Sequence, residues 1–339
     1  MKYIAYTTKG LEQVSSDEIK HLLPEAEIGE IKTKRIVFET DNEPQILLQL
    51  RTVDDVGVLV SKTGASTTED VVSFAETLDF NEAISVIEQV RDIGKKFSIT
   101  ATLAGVQGYK SGELIERLSK VFTSKMGLQF SEIERLGFDI KIFVDRNEVY
   151  CSVRLAEESL HNRRFKTHSK EGSLKSTIAA SLVQLACGWD TNLKVVDNFC
   201  GSGTILAEAL LAGNQVFGGD IDPESVQITI KNLQNLHYKA EGKIKVLDAT
   251  HTNWSNGCFD CAISNLPWGK QVEINHITSL YAGTMKEYQR ILKPDGKLCL
   301  IVSNPELLVK YAKRYFPDKR VTTNKIGFLG QNPTIVLIT

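Results

Sequence analysis

One short stretch late in the chain could hold a planar amine, and it consists of Asn265, Leu266, Pro267 and Trp268. It follows the apolar run 261–263, which predicts that it lies at the end of a β-strand. The side-chain carbonyl of Asn265 and a backbone carbonyl beside Pro267 can accept the two hydrogens of an exocyclic NH2 group, while the indole of Trp268 can stack on a base. The alternative is a strand-to-loop turn with a core tryptophan, and the rest of the chain must decide between the two.

The composition narrows the class of protein. Of the 339 residues, 42% are hydrophobic and 24% are charged, which is typical of a globular protein with two or three domains. The formal net charge of −2 gives no bulk attraction to nucleic acid or anionic lipid, so any such affinity must come from local patches. No apolar run reaches the roughly 18–20 residues that span a membrane, and the N-terminus lacks an apolar signal core, so we expect a cytoplasmic protein.

The six cysteines lie scattered, mostly in apolar runs, which is typical of reduced, buried thiols rather than of a disulfide framework. Cys258 and Cys261 form a CxxC pair, a spacing that zinc and redox sites also use. No second Cys or His pair is near, and residues three apart on a strand face opposite sides. We therefore expect both thiols to be structural and expect no metal site.

The first fifty residues show no nucleophile, metal cluster or phosphate-binding loop. A strand, a helix and two more strands are predicted over residues 1–50, an order that suits a small α+β module. Scattered lysines farther along could build an RNA-binding face, although such lysines are more often a solvated surface. The other predicted elements are helices near 45–51, 79–93 and 112–122, strands at 97–103, 139–144 and 149–153, and an irregular loop at 61–70.

Residues 161–175 differ in character from the regions on either side. They hold five Lys or Arg residues against one Glu, with Phe165 between basic residues and no helical or alternating apolar pattern. We expect a flexible basic connector in which Phe165 could contact a base, with a plain solvated linker as the alternative. The residues predicted to bind RNA are Arg163, Arg164, Lys166, Lys170 and Lys175.

From residue 194 onward, predicted strands alternate with predicted helices, which indicates a doubly wound α/β domain. Four consecutive strands end in a polar residue, namely Asp197, Asp220, Asp248 and Asn265. Because ligands bind at the carboxyl ends of strands in such sheets, we expect these side chains to line one crevice.

The glycine loop 201–204 decides which ligand this crevice suits. A phosphate-binding P-loop requires a Lys that the loop lacks, and a dinucleotide fingerprint requires a third Gly where this chain has Leu206. Asp197 also places a negative charge where a pyrophosphate would lie. A cationic nucleoside without phosphate fits better, with Asp197 offsetting its charge, Asp220 binding the ribose hydroxyls and Asp248 binding the adenine amine. That ligand is S-adenosylmethionine.

These motifs, in this order and spacing, resemble the cofactor and catalytic motifs of class I amino-methyltransferases. The N-terminal half is similar to the THUMP-containing RNA methyltransferases, at residues 6–11 and at the junction formed by 159–165 and 173–179. The resemblance implies a ferredoxin-like domain (1–50), a THUMP domain that holds RNA (51–156), a basic linker (157–175) and a Rossmann-like methyltransferase domain (176–339) whose last strand runs antiparallel. The implied cofactor-binding residues are Asp197, Phe199, Gly201, Gly203, Thr204, Asp220, Ile221, Asp248, Ala249, Asn265, Ser176 and Thr177.

The resemblance also implies the reaction, which is methylation of guanine N2 in tRNA, with position six of the acceptor region favoured. Large-subunit ribosomal RNA is the alternative substrate, and N6-adenine methylation of DNA or a non-catalytic RNA-binding role is less favoured. The chain departs from the usual tetrapeptide in two ways: Leu266 replaces a Pro, and the first residue is Asn265 rather than Asp. Asn265 is therefore expected to orient the amine and not to take its proton. The sequence indicates no membrane association and no obligate protein partner.

Overall fold

The protein is described by a computed structural model that covers the chain outside residues 106–107, 134–136, 169, 171, 269–273 and 329, and without the side chains of 274–276. Gly269, which follows the predicted catalytic stretch, and two junction residues, Ser169 and Glu171, thus lie outside the described part. The described chain divides into two compact units. The first comprises Met1–Thr7 and Ser16–Leu160, and the second comprises Thr8–Ser15 and His161–Thr339.

One mixed sheet forms the centre of the first unit, in the order β2-β3-β1-β4-β8-β7-β5-β6. Neighbouring strands run antiparallel, except that β5 runs parallel to both β6 and β7. Its strands are β1 (Lys2–Thr7), β2 (Glu27–Lys32), β3 (Arg35–Glu39), β4 (Val53–Gly64), β5 (Lys96–Ala104), β6 (Gln129–Phe130), β7 (Phe138–Asp145) and β8 (Glu148–Arg154).

The helices of this part of the chain bury apolar side chains in a shared core. Helix α4 contributes Leu114, Leu118 and Phe122, a spacing of four residues that places all three on one helix face. The phenyl ring of Phe122 meets Phe80 edge to face, with ring centroids 5.4 Å apart. The helices are α1 (Glu12–Leu22), whose first residues group with the second unit, a 3-10 helix (Pro44–Gln49), α2 (Thr68–Thr77), α3 (Asn81–Glu88) and α4 (Ser111–Met126).

The prediction of an irregular loop at 61–70 is wrong. Strand β4 continues to Gly64 because it pairs with β8 along its second half, and α2 begins four residues later. The side chain of Thr67 accepts from the Asp70 amide while the Asp70 carboxylate accepts from the Thr67 amide, which is a capping box. The Ser and Thr residues that suggested a loop therefore start a helix.

Strand pairing also crosses the predicted boundary at residues 50 and 51. Strand β1 pairs with β4 from Tyr3↔Val58 to Thr7↔Val53, so the two predicted N-terminal domains share one sheet. The junction residues from His161 onward group with the second unit. The division into ferredoxin-like, THUMP, linker and methyltransferase segments stays a prediction.

The second unit contains a seven-stranded sheet in the order β11-β10-β9-β12-β13-β15-β14. The first five strands of this order run parallel, and β15 pairs antiparallel with both β13 and β14. The predicted Rossmann-like fold with an antiparallel last strand is confirmed. Its strands are β9 (Lys194–Asp197), β10 (Gln215–Asp220), β11 (Ile244–Val246), β12 (Phe259–Asn265), β13 (Leu292–Val302), β14 (Val321–Lys325) and β15 (Thr334–Ile338).

Two apolar clusters show that helices cover both faces of this sheet. One cluster holds Leu182 of α5 and Leu206 of α6, and the other holds Met285 of α8 and Leu308 of α9. None of the helices in the described part of the chain combines the length and apolarity of a membrane span. The helices are α5 (Ser176–Cys187), α6 (Thr204–Leu211), α7 (Pro223–Gln234), α8 (Ile274–Ile291) and α9 (Pro305–Tyr315).

Candidate active site

The stretch 265–268 leaves the carboxyl end of β12, which lies between β9 and β13 in the middle of the sheet. Its backbone is fixed by three contacts. The Leu266 amide donates to the Ile301 carbonyl at 3.1 Å, the Tyr281 hydroxyl donates to the Pro267 carbonyl at 2.8 Å, and the Ser303 hydroxyl donates to the Trp268 carbonyl at 3.0 Å. The carbonyls of Pro267 and Trp268 therefore already have donors. Sequence reasoning named neither Tyr281 nor Ser303, because both are distant in the chain.

Two polar atoms of this stretch are buried and have no hydrogen-bond partner among the described residues: Asn265 Oδ1 and Trp268 Nε1. Leaving a buried acceptor unsatisfied costs about 1–3 kcal/mol, so such an atom indicates a site that a ligand completes. The indole of Trp268 packs edge to face against Phe328, with ring centroids 6.0 Å apart. The role of Asn265 as the acceptor of an amine hydrogen stays a prediction, and Phe328 is a supporting residue that sequence reasoning did not name.

Asp197, at the end of β9, is 1% exposed and carries the most perturbed carboxylate of the crevice. Burial raises its pKa to about 7, while hydrogen bonds from the Ser264 hydroxyl (2.7 Å) and the Phe199 amide (3.0 Å) oppose the rise and the neighbouring Asp220 charge adds to it. A desolvated carboxylate is a strong partner for a cation because water does not screen the interaction.

The glycine loop is held against the next strand by its own backbone. The Gly201 amide donates to Asp220 Oδ2 at 2.9 Å, and the Asp222 amide donates to Asp220 Oδ1 at 3.1 Å. Gly201 adopts φ +52°, and a Cβ added there would meet no atom within 4 Å. Gly203 adopts φ +78° immediately before α6 begins at Thr204. The loop therefore presents bare backbone to open space at Gly201, as close approach of a nucleoside requires.

Ile221 follows the end of β10, and Asp248 lies just beyond the end of β11, at the next predicted position of the crevice. Ile221, directly after Asp220, is 74% exposed, which is unusual for a large apolar side chain. The Leu247 amide donates to the Asp220 carbonyl at 3.0 Å, so the chain enters Asp248 alongside the end of β10. Hydrogen bonds from Thr250 hold the pKa of Asp248 below its ordinary value, and Ala249 beside it is buried.

Ser176 and Thr177, the other predicted cofactor residues, begin α5 and are 3% and 0% exposed. The Thr177 carbonyl accepts from the Ser181 hydroxyl inside the helix. Phe199 is partly buried against the apolar cluster below α8. The Phe199 amide donates to the Asp197 carboxylate, and the cofactor role of Ser176, Thr177 and Phe199 stays a prediction.

The described residues of the basic junction belong to the second unit and pack within it. The prediction of a flexible connector is wrong for these residues. Phe165 is 6% exposed and belongs to the apolar core, so it is not available to a base. Arg163 Nε lies 3.0 Å from Glu208 Oε1, and the two side chains are 10% and 0% exposed. Lys166 Nζ donates to the Leu174 carbonyl at 2.9 Å, and burial lowers its pKa.

The remaining basic residues of the junction differ from one another in exposure. Lys170 forms an ion pair with Asp222 and donates to the Ser225 hydroxyl at 3.1 Å. Lys175 is half-buried, and Arg164 is exposed. RNA binding by these five basic residues stays a prediction, with Arg164 the one whose exposure suits it best.

Two asparagines of the α7 region hold the junction in place, and sequence reasoning missed both. Asn232 is 1% exposed, and its amide group donates to the His168 carbonyl (2.9 Å) and to the Ser202 carbonyl (2.8 Å). Asn235 Nδ2 donates to the Phe165 carbonyl at 3.0 Å. Asn232 thus joins the junction directly to the glycine loop. The signal in the sequence was weak: two asparagines three apart at the end of a helix that also buries Ser225 and Thr229.

Comparison with known proteins identifies relatives of both the sequence and the fold. The sequence profile of UPF0020, an RMKL-like methyltransferase domain, matches residues 163–332. YpsC of Bacillus subtilis (strain 168) is 29% identical over 224 residues, 64% of this chain and 55% of YpsC. The Bos taurus protein named tRNA (guanine(6)-N(2))-methyltransferase THUMP3 is 27% identical over 191 residues, 51% of this chain and 37% of the relative. The matches thus span about half, or less, of these relatives.

A solved structure resembles the chain over a greater length. The crystal structure of TrmN from Thermus thermophilus aligns with a TM-score of 0.81 and 23% identity, covering 99% of this chain and 98% of that one. At this identity the likeness supports the fold described above.

Proposed function

Because this chain belongs to the UPF0020 family of RMKL-like methyltransferase domains, we propose that it transfers a methyl group to the exocyclic N2 amine of a guanosine in RNA. The observation that carries the proposal is the buried, unpartnered Oδ1 of Asn265 at the end of β12, among the described residues. A hydrogen of an exocyclic amine is the donor that such an acceptor requires.

S-adenosylmethionine is the methyl donor, and when bound it supplies an electrophilic methyl group attached to sulfur. The described residues fit it: Gly201 leaves room for close approach, Ile221 offers exposed apolar surface, and Asp197 is a buried anion for a cationic ligand. Asp220 and Asp248 would bind the ribose hydroxyls and the adenine amine. No cluster of three metal-ligating side chains exists within the described ranges.

In the proposed mechanism Asn265 positions the target amine. Its Oδ1 accepts one amine hydrogen and the Leu266 carbonyl accepts the other, so that the nitrogen lone pair is aimed along the line of displacement. Trp268 stacks on a base that has left its helix, since base pairing already binds one of the two amine hydrogens of guanine and leaves only the other accessible. The chain provides an amide at position 265 and not a carboxylate, so the amine proton leaves to water after transfer. Positioning and electrostatics supply the acceleration.

The proposed substrate is tRNA, with the guanosine at position six favoured. This choice rests on the name of the bovine relative and on the N-terminal resemblance to RNA-binding modules. Large-subunit ribosomal RNA is the second candidate. Arg164, the exposed arginine of the junction, would contact phosphate, while Arg163, Lys166 and Lys170 would mainly hold the junction in shape.

Incubation of the purified chain with deuterium-labelled S-adenosylmethionine and unmodified transcripts tests the proposal. Parallel reactions contain tRNA, large-subunit ribosomal RNA, and duplex DNA, and the digested nucleosides are analysed by mass spectrometry. We expect labelled N2-methylguanosine in tRNA, and loss of the product when the guanosine at position six is replaced by adenosine. Label in ribosomal RNA alone would identify ribosomal RNA, and not tRNA, as the substrate. Label on adenine N6, or no label on any acceptor, would refute the proposal.

A further inference from the structure

A chain of buried hydroxyl groups lies behind the cofactor carboxylate and is not part of the predicted site. Ser264, the residue before Asn265, is 0% exposed, and its hydroxyl lies 2.7 Å from Asp197 Oδ1. The same hydroxyl lies 2.7 Å from the hydroxyl of Tyr288, which is also 0% exposed and belongs to α8. Strands β9 and β12 and helix α8 are thus joined through three polar side chains.

The direction of these hydrogen bonds follows from the number of hydrogens available. A serine hydroxyl has one hydrogen, and an ionised carboxylate can only accept, so Ser264 donates to Asp197 and must accept from Tyr288. The Tyr288 oxygen in turn accepts from the backbone N–H of Asn198. Every bond in the chain therefore points its donor toward the Asp197 carboxylate. Bonds aligned in this way favour the ionised form and fix the rotamer of the carboxyl group.

We propose that Ser264 and Tyr288 are positioning residues that keep Asp197 ionised and oriented toward the ammonium group of S-adenosylmethionine. This inference rests on the proposed function, since it assumes that donor. The need for such support is visible in the surroundings of Asp197: its identified contacts include no basic side chain, and the carboxylate of Asp220 opposes its charge. Apart from the Phe199 amide, the hydroxyl chain is what favours the anion.

A nearby tyrosine of the same helix provides a matched control. Tyr281 and Tyr288 are both buried residues of α8, and the hydroxyl of each donates to a residue at or just beyond the carboxyl end of β12. Tyr281 reaches the Pro267 carbonyl of the catalytic stretch, whereas Tyr288 reaches Ser264 behind Asp197. Replacement by Phe removes one hydroxyl in either case, so the two variants separate the catalytic stretch from the cofactor carboxylate.

The test is the dissociation constant of S-adenosylmethionine, measured by calorimetry between pH 5.5 and 9 for wild type, Ser264→Ala, Ser264→Thr, Tyr288→Phe and Tyr281→Phe. Loss of one hydrogen bond to the charged form should move the pH midpoint of binding upward by about one pH unit in Ser264→Ala and weaken binding about fivefold at pH 7. Tyr288→Phe should move it by about half as much, and Ser264→Thr, which keeps the hydroxyl, should restore the wild-type profile. The amine of the donor titrates equally in every variant, so differences between variants report Asp197.

Tyr281→Phe should lower the transfer rate with little change in donor affinity or midpoint. An equal loss of affinity at every pH, without a shift of the midpoint, would show that Ser264 only packs and would overturn the inference. Should Ser264→Ala fail to fold, an unshifted midpoint in Tyr288→Phe would overturn it as well. If the wild type itself does not bind the donor, the proposed function fails and this inference fails with it. If the wild type binds the donor but the variants show no shift of the midpoint, only this inference fails.

Discussion

Asp197→Asn should change how the stability of the second unit depends on pH. The pKa of Asp197 is raised from 3.8 to about 7 in the folded chain because the carboxyl is buried. Between these two values the folded chain binds more protons than the unfolded chain, so the free energy of unfolding falls as pH rises through this range. For one carboxyl, the linkage relation gives a fall of about 2 kcal/mol between pH 5 and pH 7. Asn is nearly isosteric and does not titrate, so the variant should lose this part of the pH dependence.

The assay is urea unfolding at pH 5, 6, 7 and 8 without the methyl donor. Tryptophan fluorescence reports selectively on the second unit, because all three tryptophans, Trp189, Trp254 and Trp268, belong to it. We expect the difference in unfolding free energy, Asp197→Asn minus wild type, to increase by about 2 kcal/mol from pH 5 to pH 7. A difference that stays constant over this range would refute a raised pKa at Asp197. A difference that moves in the opposite direction would indicate a lowered pKa.

Three other predictions concern the ion pair of the junction, the glycine loop and the RNA contact. Arg163→Met removes the Arg163 cation from the buried Glu208 carboxylate and should lower the unfolding free energy by about 3–5 kcal/mol. The double variant Arg163→Met with Glu208→Gln should recover part of this loss. Equal losses in the single and double variants would contradict the ion pair. Gly203→Ala should cost more unfolding free energy than Gly201→Ala, because its Cβ would lie 2.9 Å from a neighbouring side chain, whereas Gly201→Ala should mainly weaken binding of the methyl donor measured by calorimetry. The reverse order would contradict the loop geometry. Arg164→Ala should weaken tRNA binding and reduce the slope of log K against log salt concentration by about one. An unchanged slope would show that Arg164 does not contact the RNA.

The sequence predicted the second unit well because its signals are local. The strands ending at Asp197 and Asn265 lie where apolar runs of the sequence stop. The choice of a cationic nucleoside depended on residue types in the glycine loop and on Asp197, both of which can be read directly. The family match agrees with that interpretation.

The predictions that failed depended on partners distant in the chain. The second half of β4 exists because β8 pairs with it, and about ninety residues separate the paired positions, such as Gly64 and Glu148. Phe165 looked like an aromatic in a polar linker, yet Asn235 binds its carbonyl and the apolar core receives its ring. The hydrogen bond between Ser264 and Asp197 spans 67 residues, and no local pattern announces it.

The most direct test of the account is the single-turnover rate of methyl transfer to tRNA by Asn265→Ala, measured together with its affinity for S-adenosylmethionine. Asn265 Oδ1 is the buried acceptor assigned to the target amine, so its removal should reduce the rate at least a hundredfold, the scale seen when a positioned hydrogen-bonding group is lost. The dissociation constant of the donor should change less than threefold. A rate within tenfold of wild type, or a loss explained entirely by weaker donor binding, would contradict the claim that Asn265 positions the amine.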